Sequence, residues 1–445
     1  MNVNLEKRYA EQLIKALNGE EYALNLKREN HQRKQRRKAG SLSEMLELNK
    51  IYNMDCLEGM KLLDDNSVDS IVTDPPYELG FMGKKWDSTG IAYNVDLWKE
   101  CLRVLKPGGH LLAFGGTRTY HRMTCAIEDA GFEIRDCIQW LYGSGFPKSH
   151  DISKAIDKKL GAEREVIGKG RGVGKKGGET YSKYGGFKAG EIEITASATE
   201  LARKWNGWGT ALKPANEPIV LARKPLSEKT IADNVLKWGT GGINIDGCRV
   251  ETNGETPKGS GKGSKNSIFG QVANSKGNDG NVTPELGRFP ANLILDEEAG
   301  KMLDEQSGIL KSGGGNKANK KPLARKSQVI PTKDTGEIWE QNSGGASRFF
   351  YCAKASKKER GEGNNHPTVK PLSLIKYLIT LVTPPGGICL DPFEGSGTHA
   401  LACKDLGFNY IGFELNPEYC KMAEKRIEPY LMQQTIFELL KGGQP

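Results

Sequence analysis

The segment at residues 388–416, ICLDPFEGSGTHALACKDLGFNYIGFELN, decides the fold class because it is typical of a strand, a glycine loop, a helix and a second strand. Gly395 and Gly397 let the backbone turn tightly and approach a ligand closely at the end of the first strand. The second strand ends at Glu414, where a carboxylate would accept hydrogen bonds from ribose hydroxyl groups. The segment therefore predicts an α/β protein with a nucleoside site at the mouth of its sheet.

The loop at residues 391–398 differs from two common phosphate-binding patterns. It lacks the complete G-x-G-x-x-G fingerprint, and it has no P-loop lysine with an adjoining Ser or Thr. A nucleoside cofactor without phosphates suits these residues better, and S-adenosylmethionine is the obvious one. The candidate cofactor-binding residues of this segment are Asp391, Pro392, Phe393, Gly395, Ser396, Gly397, Thr398 and Glu414.

A second distinctive stretch is SVDSIVTDPPYELG at residues 67–80, where an apolar strand precedes an acid, two prolines and an aromatic residue. Both prolines have a fixed φ and lack an N–H group, so Asp74-Pro75-Pro76-Tyr77 predicts a stiff, non-helical loop. This loop offers one carboxylate, one free carbonyl and one ring. An ordinary strand-ending turn also fits the four residues, so their function depends on partners elsewhere in the chain.

Composition limits the class of protein. With 445 residues, the chain is long enough for two domains or for one domain with a large insertion. It has a polar N-terminus and no apolar run of membrane-spanning length, which predicts neither a membrane span nor a signal peptide. The nine cysteines lack Cys-x-x-Cys or metal-ligand spacing, so they predict reduced thiols in the cytoplasm and no metal site.

The positive charge of the chain is unevenly distributed. Residues 1–50 carry 11 Lys and Arg against 7 Asp and Glu, and residues 151–350 carry 32 against 24, within a net charge of +9. This distribution suits a neutral catalytic body with basic attachments that meet a polyanion, although a solvated basic surface fits it equally.

Two α/β stretches flank a middle region rich in glycine and lysine. Strand and helix patterns alternate from residue 50 to about residue 150 and resume near residue 349. Within the first stretch, NVDLWKECLRVLKPGG at residues 94–109 predicts an amphipathic helix that ends at its glycines. The middle region cannot bury a continuous core of its own. We therefore expect two halves of one sheet that are separated by an insertion.

Together, the motifs at residues 74–77 and 391–398 closely resemble the catalytic and cofactor motifs of amino-group DNA methyltransferases. Their order resembles the β group of that family, and parts of the middle region resemble methylases carried by phages and prophages. The resemblance implies an S-adenosylmethionine-dependent, Rossmann-like α/β fold with a mixed, circularly permuted sheet and a large inserted target-recognition region. It also implies site-specific methylation of adenine N6 in double-stranded DNA, with cytosine N4 as the alternative.

The resemblance implies further cofactor contacts and a division of the chain. NHPTVKP at residues 365–371 resembles the loop that lines the methionine end of the cofactor, and NMDCLEGMKLL at residues 53–63 resembles the segment whose acid meets the adenine amino group. These segments add Asp55, Cys56, His366, Thr368 and Lys370 to the cofactor-binding residues. The expected regions are a basic helical N-terminal extension (1–49), a catalytic half (50–150), a partly flexible target-recognition insertion (151–345), a cofactor-binding half (346–432) and a C-terminal tail (433–445).

The stiff loop suits methylation of an exocyclic amino group. The amino nitrogen of adenine is a poor nucleophile because its lone pair is delocalised into the ring, and two acceptors for its hydrogens would favour a pyramidal nitrogen. Asp74 and the Pro75 carbonyl would be those acceptors, with Pro75 held rigid by Pro76. Tyr77 would stack on a base flipped out of the duplex. These four residues are therefore the candidate catalytic residues, and the reaction requires no metal.

The expected partner is double-stranded DNA, and the expected location is the bacterial cytoplasm. Candidate contacts to phosphate or guanine are Arg223, Lys224, Arg249 and Arg348. The sequence leaves open a homodimer, a cognate restriction enzyme and a phage or prophage origin.

Other functions compete with this interpretation. A C5-cytosine methyltransferase would need a nucleophilic cysteine in a Pro-Cys context, which Cys101 and Cys137 lack. Methyltransferases of RNA or protein amides share a similar loop, typically with Asn at its first position. An inactive DNA-binding or phage structural relative is a further alternative, against which the intact motifs argue.

Overall fold

The computed structural model describes residues 46–80, 85–143, 145, 149–173, 189–251, 287–311, 343–353 and 369–441. Within these ranges, no helix is both long enough and apolar enough to cross a membrane.

The described chain alternates strands and helices. The strands are β1 (Lys50–Tyr52), β2 (Val68–Thr73), β3 (Leu105–Phe114), β4 (Glu133–Leu141), β5 (Val166–Val173), β6 (Ala189–Thr195), β7 (Asn216–Arg223), β8 (Leu293–Asp296), β9 (Leu310–Lys311), β10 (Ser343–Gly344), β11 (Tyr351–Ala353), β12 (Ile388–Asp391) and β13 (Asn409–Phe413). The helices are α1 (Cys56–Lys61), α2 (Val95–Val104), α3 (Tyr120–Asp129), α4 (Ile152–Lys159), α5 (Glu200–Lys204), α6 (Ile231–Trp238), α7 (Glu297–Ser307), α8 (Leu372–Val382), α9 (Thr398–Leu406) and α10 (Pro417–Lys441).

A nine-stranded mixed sheet organises the protein, with the strand order β1-β13-β12-β2-β3-β7-β4-β8-β11. Strand β7 runs antiparallel to β3 and β4, whereas the other neighbouring pairs in this sheet are parallel. The C-terminal strands β12 and β13 lie between the N-terminal strands β1 and β2. Both ends of the chain therefore build one half of the sheet, which confirms the predicted α/β fold and its permuted order.

Helices cover both faces of the sheet. On one face, buried residues of α8 and α9 such as Leu374, Leu378 and Leu401 form a single apolar cluster with the sheet. On the other face, residues of α2 and α3 such as Trp98 and Ile127 form a second cluster. Every residue of β2 is buried, as expected for a central strand between two helical layers. This arrangement fixes the carboxyl end of β2, where the stiff loop begins.

The predicted glycine stop after α2 is wrong. The helix ends at Val104, and β3 begins at Leu105 and continues through the two glycines. There is no room for a side chain at Gly109, because a Cβ atom there would lie 2.8 Å from the carbonyl oxygen of Asp69. The Gly109 carbonyl accepts a hydrogen bond from Lys224 N at 2.9 Å. The glycines therefore serve close packing of strands rather than helix termination.

The predicted limits of the insertion also need correction. Strands β7 and β8 come from residues 151–345, yet they belong to the central sheet. The residues of β7 from Pro218 to Arg223 are all buried, and this burial explains why the strand is part of the core. The described insertion that lies outside the sheet includes α4, the antiparallel β5–β6 hairpin and α5.

The structure describes most of the predicted C-terminal tail but little of the predicted N-terminal extension. Residues 1–45 of the basic extension lie outside the described residues. At the other terminus, α10 continues to Lys441, so no boundary separates the predicted tail from the preceding helix at residue 433.

Candidate functional site

The stiff loop and the glycine loop leave neighbouring strands at the same edge of the sheet. Strands β2 and β12 are parallel, with Ile71 opposite Leu390. Just beyond this pairing, Thr73 Oγ1 donates a hydrogen bond of 2.6 Å to Asp391 Oδ1. The structure therefore brings Asp74 and the 391–398 loop to one crevice, as the parallel strand ends require.

One oxygen of Asp74 is engaged and the other is not. Asp74 Oδ2 accepts a hydrogen bond of 2.6 Å from Lys370 Nζ. Asp74 Oδ1 is buried and has no hydrogen-bond partner among the described residues. Likewise, no donor within the described ranges binds the Pro75 carbonyl. Because buried acceptors are normally satisfied, this pair of oxygen atoms is a candidate receptor for the two hydrogens of an amino group.

Tyr77 is tied to a second acid, Glu217, at the start of β7. Tyr77 OH donates a hydrogen bond of 2.9 Å to Glu217 Oε2, and Thr119 Oγ1 donates one of 2.7 Å to the Tyr77 carbonyl. Burial raises the pKa of Tyr77 well above its ordinary value, and the nearby charges of Asp74 and Glu217 raise it further. Tyr77 is therefore a neutral donor whose ring has a fixed orientation.

Lys370 joins the two acids. Its buried ammonium group lies 3.4 Å from Glu217 Oε2 in addition to its bond with Asp74. It also lies 5.2 Å from the ring centre of Tyr77 and 5.0 Å from that of Phe114. Burial alone would lower the pKa of Lys370, but the two carboxylates raise it overall. The sequence predicted a cofactor contact for Lys370, whereas the structure assigns its ammonium group to the acids.

A cleft borders the other side of the stiff loop. It is small and partly open, and Pro76, Tyr77, Tyr93, Gly116 and Tyr120 contribute to its lining.

The glycine loop is anchored to the end of β13. Gly395 N donates a hydrogen bond of 2.8 Å to Glu414 Oε2, and Asn416 N donates one of 2.7 Å to Glu414 Oε1. Each carboxylate oxygen retains a second lone pair for a ligand. Burial raises the pKa of Glu414. The structure therefore brings Glu414 to the glycine loop, as the sequence predicted, and gives it a supporting role as well.

Gly397 meets a steric requirement. Its φ of 83° lies in the left-handed region, and a Cβ atom would lie 2.6 Å from the Cβ atom of Ala423. The residue precedes α9 and allows the loop to pass close to α10.

Two predicted cofactor ligands, Ser396 and Thr398, accept hydrogen bonds from a side chain of α10. Arg426 Nη1 donates hydrogen bonds to Ser396 Oγ at 3.1 Å, to Thr398 Oγ1 at 3.2 Å and to the Ser396 carbonyl. These side chains hold the loop against α10, and each hydroxyl keeps a proton that it can donate, so their cofactor contacts stay predictions.

The side chains of Asp391 and Glu394, two residues of the loop, are buried beneath its backbone. Asp391 Oδ1 accepts a bond from Phe393 N at 2.9 Å in addition to that from Thr73. Burial and the charge of Glu394 raise the pKa of Asp391 to about 8. Glu394 accepts bonds of 2.9 Å from Ala400 N and His399 Nδ1. Both acids therefore shape the loop from within.

The fold brings together three side chains of the types that bind metal ions, although their spacing in the sequence predicted no metal site. Cys389 on β12 and the pair His399 and Cys403 on α9 bring their sulfur and nitrogen atoms within 4.8 Å of one another. Both ring nitrogens of His399 already have partners, Glu394 at 2.9 Å and Cys403 at 3.5 Å. The group is thus internally satisfied and packs behind the glycine loop.

Asp55 and Cys56 occupy the start of α1. Asp55 Oδ1 caps the helix by accepting bonds from Leu57 N at 2.9 Å and Glu58 N at 3.2 Å. Capping leaves Asp55 Oδ2 with no hydrogen bond from the described residues. The Cys56 side chain is buried in the core, and burial with the charge of Asp55 raises its pKa to about 12. Cys56 therefore offers a ligand its backbone rather than its thiol.

These residues fit the cofactor that the family resemblance implies. The crevice combines a glycine turn with positive φ at Gly395, spare acceptor capacity on Glu414 and a second acceptor on Asp55. Arg426 approaches the glycine loop, but it donates hydrogen bonds to Ser396 and Thr398 of the loop itself. The donor set suits a nucleoside with hydroxyl and amino groups better than a nucleotide with phosphates.

The predicted DNA contacts divide into two pairs. Arg223 is buried and donates a 2.6 Å bond to Glu133 at the end of the sheet opposite Asp74. Lys224 donates to Asn66 at 2.7 Å and to the Leu105 carbonyl at 2.8 Å. These internal bonds contradict the prediction that Arg223 and Lys224 contact DNA.

Arg249 and Arg348 lie instead in a half-buried arginine and phenylalanine cluster, where Arg249 Nε donates a 2.7 Å hydrogen bond to Asp246 Oδ1 and Arg348 Nη1 donates one of 3.4 Å to the Leu310 carbonyl. Arg249 lies 5.8 Å from the ring centre of Phe289, and Arg348 lies 4.8 Å from that of Phe349. Arg288 approaches the Phe349 ring to 5.1 Å. Phe289 is 66% exposed and Phe349 is 42% exposed, so this cluster presents aromatic surface to solvent beside partly buried arginines. His366 and Thr368 lie outside the described residues.

Two residues of the site had not been identified in the sequence. Glu217 is an acid at the start of an apolar strand, a signal that could have marked it. Asp87 is buried and accepts bonds from Glu78 N at 3.0 Å and Leu79 N at 3.3 Å, just after Tyr77. The sequence gives only a weak indication of this role for Asp87, because a single acidic residue after a loop can have many structural roles.

Comparison with known proteins identifies the family. A family model for N6/N4 methyltransferases, described as a DNA methylase, matches residues 68–425. Type II methyltransferase M.HindIII of Haemophilus influenzae is 23% identical over 420 residues, which cover 85% of this chain and 94% of that protein. DNA adenine methyltransferase YhdJ of Escherichia coli is 45% identical over 67 residues, 15% of this chain and 23% of that protein.

A solved structure gives a more distant comparison. PvuII DNA methyltransferase (cytosine-N4-specific) is 14% identical and covers 84% of this chain and 85% of its own, with a TM-score of 0.39. The family model spans most of the chain and includes both motifs. The protein therefore belongs to the N6/N4 DNA methylase family.

Proposed function

We propose that this protein transfers a methyl group from S-adenosylmethionine to N6 of an adenine flipped out of double-stranded DNA. The observation that carries the proposal is the unpartnered Asp74 Oδ1 beside the rigid Pro75 carbonyl, at the edge where the glycine loop also ends. Two fixed acceptors in a buried site have no structural use of their own, because an unsatisfied buried oxygen is costly.

The cofactor residues supported by the geometry are Glu414, Asp55 and the backbone of the 393–397 loop. Glu414 would accept bonds from the ribose hydroxyls, and Asp55 Oδ2 would accept one from the adenine amino group. His366 and Thr368 stay predictions as contacts to the methionine end. When bound, S-adenosylmethionine supplies an electrophilic methyl group on a sulfonium centre.

The catalytic residues act by orientation and charge. Asp74 Oδ1 and the Pro75 carbonyl would accept the two hydrogens of the amino group and make its lone pair available. The new bond joins the amino nitrogen to the methyl carbon while the carbon–sulfur bond breaks. Asp74 is the group that accepts the surplus proton. Holding the amino group in fixed geometry accounts for much of the rate enhancement.

Tyr77 supports a flipped base as substrate. Its hydroxyl is fixed by Glu217, and its ring would offer a stacking surface to an extruded base. YhdJ, named a DNA adenine methyltransferase, supports adenine. The PvuII enzyme, named cytosine-N4-specific, keeps cytosine N4 as the second candidate.

Labelled S-adenosylmethionine and unmethylated duplex DNA test the proposal, with the methylated nucleosides identified after digestion. We expect label in N6-methyladenine with the wild type and none with Asp74→Ala. Label in N4-methylcytosine would select the second candidate. Label in RNA or protein alone would overturn the proposed substrate, and wild type without any transfer would support the inactive relative.

We also propose that Arg249 and Arg348 contact the DNA backbone as part of the arginine and phenylalanine cluster. Changing both to Ala should flatten the dependence of log affinity on log salt by about one unit for each lost phosphate contact. Lys99→Ala is the control, because Lys99 is an exposed residue of α2 that does not belong to this cluster. An unchanged slope in the double variant would exclude this surface.

The partners beyond DNA stay predictions. A cognate restriction enzyme predicts that methylated plasmid resists one specific endonuclease, and a homodimer predicts twice the monomer mass in solution. Cytoplasmic location and a phage or prophage origin are likewise expectations from the sequence.

A further inference from the structure

We propose that Glu217 is a positioning residue of the methyl-transfer site, which orients Asp74 through Lys370 and orients Tyr77 directly. This inference rests on the proposed methyl transfer, and it assigns a role to a residue that neither motif contains. Glu217 comes from β7, the strand that runs antiparallel to both of its neighbours.

Two contacts place Glu217 between the residues of the site. Its Oε2 atom accepts the 2.9 Å bond from Tyr77 OH and lies 3.4 Å from Lys370 Nζ. Its side chain is 20% exposed, and that of Lys370 is 8% exposed. Its Cα partner in the sheet is Trp140 of β4. Glu217 is thus held by a rigid strand rather than by a mobile loop.

The contacts of Lys370 explain why a second acid is needed. An ammonium group beside a single carboxylate can lie between both oxygens and cover them. Here the ammonium is shared, because Asp74 Oδ2 lies at 2.6 Å on one side and Glu217 Oε2 at 3.4 Å on the other. Sharing holds Lys370 on the Oδ2 side and leaves Asp74 Oδ1 without a partner among the described residues. Glu217 therefore keeps the catalytic acceptor available.

Charge gives Glu217 a second effect. Two carboxylates and one ammonium leave this cluster with one net negative charge, which favours a positively charged sulfonium group nearby. Among the described residues, the titratable groups that face Lys370 are Asp74, Glu217, Tyr77 and Tyr142. Removing the charge of Glu217 removes one of the two carboxylates that raise the pKa of Lys370. Lys370 would then lose its proton at a lower pH.

The test compares Glu217→Gln, Tyr77→Phe and the control Glu133→Gln with the wild type. Glu133 belongs to the same sheet and also pairs with a cation, Arg223, but at the opposite end. Single-turnover methyl transfer is measured from pH 6 to 11, a range that passes the ordinary lysine pKa of 10.5, together with cofactor affinity, DNA affinity and thermal stability.

We expect Glu217→Gln to lower the transfer rate about 10- to 100-fold, the range for a charged hydrogen bond, with cofactor and DNA affinities changed less than about threefold. Its alkaline limb should move to lower pH. Tyr77→Phe loses one neutral hydrogen bond, so its rate should fall about three- to tenfold without movement of that limb. Glu133→Gln should keep the wild-type rate and pH profile.

A wild-type rate in Glu217→Gln, or a loss of rate matched by an equal loss of cofactor affinity, would overturn the inference. A crystal structure of Glu217→Gln gives a second readout that does not depend on activity. Lys370 contacting both oxygens of Asp74 would support the positioning role, and an unchanged contact to Oδ2 alone would refute it. Wild type without methyl transfer would refute the proposed function and leave this structural readout to decide the role of Glu217.

Discussion

Thr73 and Asp391 are 318 residues apart, yet Thr73 Oγ1 donates a hydrogen bond of 2.6 Å to Asp391 Oδ1 inside the protein. Thr73 immediately precedes the catalytic loop, and Asp391 begins the glycine loop. This bond couples the position of the proposed acceptors to that of the cofactor loop.

Replacing Thr73 with Val should therefore reduce catalysis as well as stability. Val keeps the shape but leaves a buried carboxyl oxygen with one donor fewer, at a cost of about 1–3 kcal/mol. We expect the single-turnover rate to fall about tenfold because the two loops lose their direct link. The matched control is Ser70→Ala, since Ser70 Oγ makes a buried 2.8 Å bond to Thr383 Oγ1 deeper in the same strand. An equal loss of rate in both variants would contradict the coupling.

Asp74→Asn tests the acceptor directly. Asn keeps the size of the side chain but replaces one acceptor oxygen with a donor and removes the charge. We expect methyl transfer to fall about 10²- to 10³-fold, as when one preorganised group of a transition state is lost. Calorimetry should show a cofactor affinity close to that of the wild type, because Glu414 and the glycine loop are unchanged. A rate within threefold of the wild type would exclude Asp74 as the acceptor.

Glu414→Gln should weaken cofactor binding, in contrast to Asp74→Asn, which should slow methyl transfer. Glu414 holds Gly395 N and Asn416 N and has further acceptor capacity for ribose. We expect cofactor affinity to fall about tenfold, while DNA affinity stays the same. Because burial raises the pKa of Glu414, wild-type cofactor affinity should weaken at a higher pH on acidification than for an ordinary glutamate. A pH-independent affinity across that range would contradict a direct contact.

Gly397→Ala tests the steric requirement of the glycine loop. The new Cβ atom would lie 2.6 Å from that of Ala423, and the φ of 83° disfavours any side chain. We expect a loss of about 1–3 kcal/mol in unfolding free energy and weaker cofactor binding. Gly407→Ala is the control, because its φ of 76° is similar but its Cβ atom would have open space. Similar cofactor affinities in the two variants would show that backbone strain alone accounts for the effect.

The local motifs made the sheet edge predictable from the sequence. Asp74 and Gly395 each follow an apolar strand, and parallel strands place their carboxyl ends at one edge. Their convergence therefore required no knowledge of the chain between them.

The surroundings of the motifs were less predictable because they depend on contacts between distant segments. Ser396 and Thr398 resemble ligands in the sequence, but Arg426 on α10 binds both side chains. Arg223 resembles a phosphate contact, but it forms an ion pair with Glu133 on the neighbouring strand β4. Strand β7 itself was assigned to the insertion, because periodicity shows that a strand exists but not which strands are its neighbours.

Acidification should selectively destabilise the described insertion through Asp157 of α4. This side chain is inaccessible to solvent. Burial opposes its ionisation, but bonds from Ala198 N and Thr199 and the charge of Arg164 lower its pKa to about 2. A carboxylate with a lowered folded pKa contributes stability that is complete above its unfolded pKa of about 3.8 and lost toward pH 2.

The expected result is a stability difference between the wild type and Asp157→Asn that is constant near neutral pH and shrinks below about pH 4. Limited proteolysis in the described insertion, residues 149–173 and 189–210, measures this difference in the full chain. Asp96→Asn is the control, because Asp96 is an exposed acid that pairs with Lys99 on α2. A difference that persists unchanged to pH 2 would mean that Asp157 stabilises the insertion through its shape and not through its charge.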